Sequence, residues 1–352
     1  MSTIDTTRVE EFAQRVFGDL ATAHAAALTH LGDRLGLFAI LADSGPVTPA
    51  ALAERSGYAE RYLREWLAAQ AALGYLTYDP AAETFTLPPE HAAVLADDSS
   101  PFAMAGGFGI SAALWTGTDL VAEGFRTGDG VSWGEHDTRL FEGVHRFFEP
   151  GYRAHLVSSW LPAIGVVERL EQGARVLDVG CGHGSSTILM AEAFPASQFV
   201  GVDFHPESVE AARKAAAEAG VADRVRFEVA SATEYEPAGC DLVCFFDVLH
   251  DLGDPVGAAA HARAALADDG VVLLVEPRAG DRVEDNLHPL GQAYYAASTM
   301  LCTPNALSQG VGLALGAQAG EARLREVLTA GGLSQVRRAA ETEVNIVLAA
   351  RP

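Results

Sequence analysis

Three groups of residues in this chain are suited to chemistry by type and spacing. The first is Asp178-Val-Gly180-Cys-Gly182-His-Gly184, in which glycines alternate strictly behind an aspartate. Glycines allow a sharp turn and close approach of backbone to a ligand, and a helix opening after them offers free N–H groups. The next apolar run, Gln198-Phe-Val-Gly-Val, ends on Asp203, a carboxylate placed to accept hydrogen bonds from both hydroxyls of a ribose. The second group is His250-Asp251 and the third is Glu276. A histidine and a glutamate at adjacent strand tips can pair as a base and its orienter, and a nearby carboxylate keeps the imidazole basic.

These residues need a scaffold that brings strand ends together. From Ala174 onward apolar runs alternate with helical patterns. Strands are expected at 175–179, 198–202, 225–229, 241–246 and 271–275, with helices near 185–193, 206–220 and 255–267. That alternation predicts an α/β, Rossmann-like parallel sheet with its ligand at the carboxyl ends of the strands. A long segment from Arg278 to about Gly320 precedes a helix at 321–330 and two terminal strands at 333–339 and 343–350. Excursions of that length are commonly lids or binding loops.

The N-terminal part is different. Residues 8 to about 42 predict one long amphipathic helix or two short ones, broken at Ser44-Gly-Pro. Thr48-Pro49 opens a helix as N-cap and N1, Ser56-Gly57 ends it, and 61–73 predicts a second. Tyr75–Tyr78 and Thr84–Leu87 flank a turn at Asp79-Pro80. Helix, turn, helix and a two-stranded wing is a winged-helix pattern. Residues 90–165 read as helical and aromatic-rich, including Trp115, Trp133, Phe141, Tyr152 and Trp160. The resulting division is a winged-helix-like domain over 1–90, a helical bridge over 91–165 contributing to a substrate pocket, and an α/β domain over 166–352.

The glycine spacing selects the nucleoside. A dinucleotide fingerprint reads Gly-x-Gly-x-x-Gly and seats a pyrophosphate. Here the preceding Asp178 would repel a pyrophosphate but suits an ammonium or sulfonium group. With this Asp-x-Gly-x-Gly-x-Gly motif the chain resembles the class I S-adenosylmethionine-dependent methyltransferases, and its whole layout resembles bacterial, actinobacterial-type O-methyltransferases with an N-terminal winged-helix domain. The resemblance implies S-adenosyl-L-methionine as cofactor and a seven-stranded sheet with an antiparallel last strand. It implies cofactor contacts at Asp178, Gly180, Gly182, Gly184, Asp203, Phe204 and Phe246. Many members carry an acidic residue at the third strand end, where this chain reads Ala230-Ser-Ala, so Ser231 and Ala232 are expected in its place.

The segment Leu249-His250-Asp251 resembles the O-methyltransferases in which that histidine deprotonates the acceptor, and Glu276 matches the glutamate that orients it. The aromatic residue that follows in the family is Leu252 here. The implied function is methylation of a small organic acceptor, first of all on oxygen, with catalytic residues His250 and Glu276 and no metal. One alternative is a metal-assisted C-methyltransferase holding an ion on His250 and Asp251, with His288 or Cys302 as third ligand. Another is a cofactor-binding winged-helix regulator without catalysis. In the lid, Tyr294, Met300 and Asn305 are the expected substrate contacts. The resemblance also implies a homodimer formed through the N-terminal helices.

Composition bounds the partners. With 24 Lys+Arg against 47 Asp+Glu, the net charge is −23. Binding to nucleic acid or anionic membrane needs a basic surface, so neither is expected. The wing tip, Asp79-Pro-Ala-Ala-Glu83, is acidic where a phosphate-contacting wing would be basic. No apolar run reaches a membrane span, and Met1-Ser-Thr-Ile-Asp-Thr-Thr reads as no leader. The four cysteines form no Cys-x-x-Cys pair and no disulfide-like framework, which suits a cytoplasmic protein.

Overall fold

The computed structural model describes residues 4–236 and 238–352; residues 1–3, the start of the stretch read as carrying no leader, lie outside it. The chain folds as two compact units, Met1–Ala112 with Glu142–Pro150, and Ala113–Phe141 with Gly151–Pro352. The segment 91–165 is therefore shared between both.

In the first unit a helix spans Thr6–Arg34, capped by the Asp5 carboxylate on Thr7 N–H. It ends at Gly36 (φ 67°), earlier than Ser44-Gly-Pro, because a left-handed residue cannot continue the helix, and Leu37–Ala42 starts afresh. Thr48 caps Pro49–Ser56 through Ala51 N–H, and Gly57 (φ 74°) terminates it. Glu60–Ala72 follows, then β1 (Thr77–Asp79) and β2 (Thr84–Thr86), with Val47 bridging Phe85 as a third short partner. Phe38, Leu41, Leu52, Trp66 and Leu67 form the core of this winged helix. Arg61 pairs with Glu65 and Arg64 with Glu60, so the guanidinium groups of the second helix are engaged along their own helix.

The second unit is built on seven strands: β3 (Arg175–Val179), β4 (Gln198–Asp203), β5 (Val225–Val229), β6 (Cys240–Phe246), β7 (Leu266–Pro277), β8 (Gln335–Glu341) and β9 (Asn345–Arg351). Their order is β5-β4-β3-β6-β7-β9-β8. The first five are mutually parallel, and β9 runs antiparallel between β7 and β8. The inner strands β3, β6, β7 and β9 are largely continuous apolar runs because both faces of the sheet are covered, whereas the edge strands β5 and β8 carry exposed polar residues. Alternation still sorts them: Leu242, Cys244, Leu273 and Val275 join one core cluster, while Val243, Phe245, Val272 and Leu274 join the other. β7 begins at Leu266 rather than Val271, and the preceding helix accordingly stops at Ala265. The long segment after β7 is itself helical, at Pro289–Ala297, Ser298–Cys302 and Thr303–Ser308.

Candidate active site

β3, β4, β6 and β7 end side by side, and their tips carry the residues singled out above. Gly180, Gly182 and Gly184 all have positive φ (72°, 53° and 82°), a conformation costly for other residues. A Cβ on Gly180 would lie 2.4 Å from the Val248 side chain, whereas Gly182 has nothing within 4 Å of that position. The loop thus presses against the β6 tip on one side and offers bare backbone on the other.

Asp178 anchors this loop. Its Oδ2 accepts from Ser186 Oγ and Thr187 Oγ1, both at 2.6 Å, tying β3 to the first turn of Ser185–Ala193. Its Oδ1 is buried without a partner. Burial pushes this carboxyl up to about 6, outweighing the two hydroxyl donors. Asp203, at the β4 tip, accepts from Gly182 N–H and His205 N–H, each at 2.9 Å. Burial raises its pKa too, against the pull of those two amides. Each oxygen retains a lone pair for a further donor such as a ribose hydroxyl.

Phe204 is exposed next to Asp203. At the β5 end Ser231 and Ala232 are half-buried, and Ser231 Oγ lies 3.2 Å from Thr233 Oγ1. The Phe246 ring is buried in the core and packs on Tyr152 at 5.5 Å between centroids, so its ring serves packing.

His250 and Glu276 meet. His250 Nδ1 lies 2.5 Å from Glu276 Oε2, and the other oxygen of Glu276 accepts from Leu249 N–H at 2.8 Å. Both side chains are almost wholly buried, at 4% and 1% exposed. His250 Nε2 lies 3.2 Å from Asp251 Oδ1. Burial opposes the charge on His250, but the Asp251 and Glu276 carboxylates prevail and hold its pKa well above that of free imidazole. The Cys302 thiol sits beside His250 and Asp251, and one candidate ligand atom from each of the three lies within 4.8 Å of the others. Of the two third-ligand candidates Cys302 is the one brought there; His288 instead caps Pro289–Ala297 by accepting from Gly291 N–H.

The lid residues divide in role. Asn305 is buried, its Oδ1 accepting from Trp133 N–H and its Nδ2 donating to Asp251 C=O, so its amide braces backbone. Tyr294 OH donates to Val344 C=O at 2.9 Å, anchoring the segment to the sheet. Met300 is half-buried within the Ser298–Cys302 turn.

One residue went unread in the sequence. Asp247 follows Phe246 with φ 53°, and it is held by Tyr152 OH on Oδ2 (3.1 Å) and Asn345 Nδ2 on Oδ1 (2.8 Å). Its position four residues from the end of an acidic Asp-x-x-His-Asp string was the available signal.

The groups at the strand tips fit a cationic nucleoside: buried Asp178 and Glu276 and half-buried Asp203 and Asp247 are acidic, beside an open glycine backbone and an acceptor pair for ribose hydroxyls. The comparisons agree. Residues 170–332 match the family described as "Methyltransferase domain", and residues 23–97 match the "Rv2258c-like winged HTH domain". The mitomycin biosynthesis 6-O-methyltransferase of Streptomyces lavendulae is 27% identical over 270 residues, covering 73% of this chain and 75% of that protein. The structure of the mitomycin 7-O-methyltransferase MmcR superposes with TM-score 0.66 at 25% identity, covering 99% of this chain and 100% of that one. The chain thus carries a methyltransferase domain behind an N-terminal winged-helix domain, and it is similar throughout to S-adenosylmethionine-dependent O-methyltransferases. Human N-acetylserotonin methyltransferase, solved with S-adenosylmethionine, shares the fold of this methyltransferase: TM-score 0.69, 18% identity, covering 100% of this chain and 99% of that one. Among the described residues no helix is long and apolar enough to cross a membrane.

Proposed function

We propose that this methyltransferase methylates an oxygen of a small organic acceptor, with His250 as general base oriented by Glu276. The observation that carries this is the 2.5 Å His250 Nδ1–Glu276 Oε2 contact, which turns Nε2 away from the glutamate. The cofactor supplies an activated methyl group; the protein aligns it, excludes water and removes the acceptor's proton. The carboxylates leave the resting imidazole protonated, and a cationic co-substrate alongside lowers its pKa toward the range a base needs. His250→Ala should spare binding of S-adenosylhomocysteine and lower turnover about a hundredfold or more. Undiminished turnover would remove His250 from the chemistry.

The cluster of His250, Asp251 and Cys302 favours a second reading, metal-assisted methyl transfer. Imidazole, carboxylate and thiolate suit zinc or iron, which would polarise an acceptor oxygen. Without an ion, burial and Asp251 push the Cys302 thiol up to about 12, so it is protonated. Elemental analysis of the purified protein separates the readings: stoichiometric metal favours the second, its absence together with activity the first.

The assembly we infer is a homodimer through the N-terminal helix, whose Val9, Phe12, Phe17 and Leu20 are exposed on Thr6–Arg34. The four free, buried cysteines support a reducing, cytoplasmic setting.

A further inference from the structure

Asp247 is a half-buried carboxyl group in a backbone conformation uncommon for aspartate, and strain of that kind persists where surrounding structure holds it for a purpose. Tyr152 OH and Asn345 Nδ2, the hydrogen-bond donors on its two oxygens, are both neutral. The charged groups that act on it are Glu276, which repels it, and His250, which already lies between Glu276 and Asp251. A carboxylate partly withdrawn from water and satisfied by neutral donors alone is costly unless a cation joins it.

The sheet says where that cation would stand. In the order β5, β4, β3, β6, β7 the tips present Ser231, Asp203, the glycine loop, Asp247 and Glu276. Phe245 is level with Val179 and Val248 packs on Gly180, so Asp247 flanks the start of the glycine loop. A nucleoside with adenine and ribose over β5 and β4 carries its sulfur across β3 toward β6. The His250–Glu276 pair lies beyond.

We propose that Asp247 is the carboxylate that recognises the positive charge at the sulfur of S-adenosylmethionine, so that the site prefers the methyl donor to its neutral product. Tyr152 and Asn345 hold it in place, and the strain at its backbone aims it. This role is independent of the acceptor and of which atom is methylated.

Asp247→Asn tests it, because asparagine tolerates positive φ and can bond to both Tyr152 and Asn345. Calorimetric titration with S-adenosylmethionine, S-adenosylhomocysteine and sinefungin, whose ammonium stands in for the sulfonium, reads the affinity directly. The expected result is about tenfold or greater weakening for the two charged ligands, with S-adenosylhomocysteine within about twofold. Equal weakening of all three, or no change in any, would overturn the proposal. Should the asparagine variant fail to fold, Asp247→Gly relieves the backbone and removes the carboxyl, and the same pattern is required of it.

Discussion

Keeping Asp247 charged in the folded protein has a cost that pH should reveal. Burial, then Glu276, push its carboxyl from the ordinary 3.8 up to about 7. A folded value above the unfolded one means that the group's stabilising contribution is fully present below pH 3.8 and lost as pH rises through about 7. The gap between these values corresponds to ~4 kcal/mol in all. At pH 5 the group is protonated in the folded state and ionised in the unfolded one, and linkage assigns about 2.6 kcal/mol of the total to the step from pH 8 down to pH 5. Asp247→Asn abolishes this titration while keeping both hydrogen bonds. The stability of the variant relative to wild type should therefore fall by about 2–3 kcal/mol between pH 8 and pH 5, with the variant the more stable protein at pH 8. Urea unfolding followed by fluorescence of Trp133 and Trp160, which share a unit with Asp247, measures the difference at each pH. Parallel stability curves for the two proteins would refute both the desolvated carboxylate and the electrostatic cost assigned to it. Asp178, with a value of about 6, contributes a smaller slope of the same sign to both proteins and cancels in the comparison.

Asp203→Ala removes the acceptors for both Gly182 N–H and any ribose hydroxyl. It should weaken S-adenosylmethionine and S-adenosylhomocysteine alike by one to two orders of magnitude, at roughly 1.5–3 kcal/mol for charge-assisted bonds; unchanged calorimetric affinity would remove the ribose assignment. Phe12→Asp with Phe17→Asp places charges on the exposed apolar side of Thr6–Arg34. Size exclusion with light scattering should then report monomer where wild type gives dimer, and a dimer surviving both changes would move the interface elsewhere.

Much of the site was legible because its signals are local. The Asp178-x-Gly180-x-Gly182-x-Gly184 string needs positive φ wherever it folds, and the helix at Ser185–Ala193 has the limits expected of it. Strand runs of Val, Leu and Phe marked β3, β4, β6 and β7 to within a few residues because burial on both faces leaves them almost wholly apolar, while edge-lying β5 was marked by its apolar alternation. Gly36 was missed as the helix stop because the apolar pattern continues across it, and only its left-handed backbone ends the helix. The lid was read as a loop although 289–308 is helical, because its mixed aromatic and polar residues show no single apolar face.

What the sequence by itself determined is the inventory: a glycine loop behind an aspartate, an acidic strand end, a histidine and a glutamate after later strands, and a winged helix ahead of them. Chain position alone carries these, since each is specified by neighbours a few residues away. Only the tertiary structure decided which of them touch. Glu276 reaches His250 because β6 and β7 are adjacent and parallel. Cys302, not His288, joins His250 and Asp251 because the helical lid returns over the β6 tip. Asn305 and Tyr294 were chosen as ligand contacts by type, and only the fold gives their side chains the backbone partners Trp133, Asp251 and Val344. Asp247 gained its character from Tyr152 and Asn345, ninety-five and ninety-eight positions away. Desolvation and pairing depend on neighbours in space, and that information is not written along the chain.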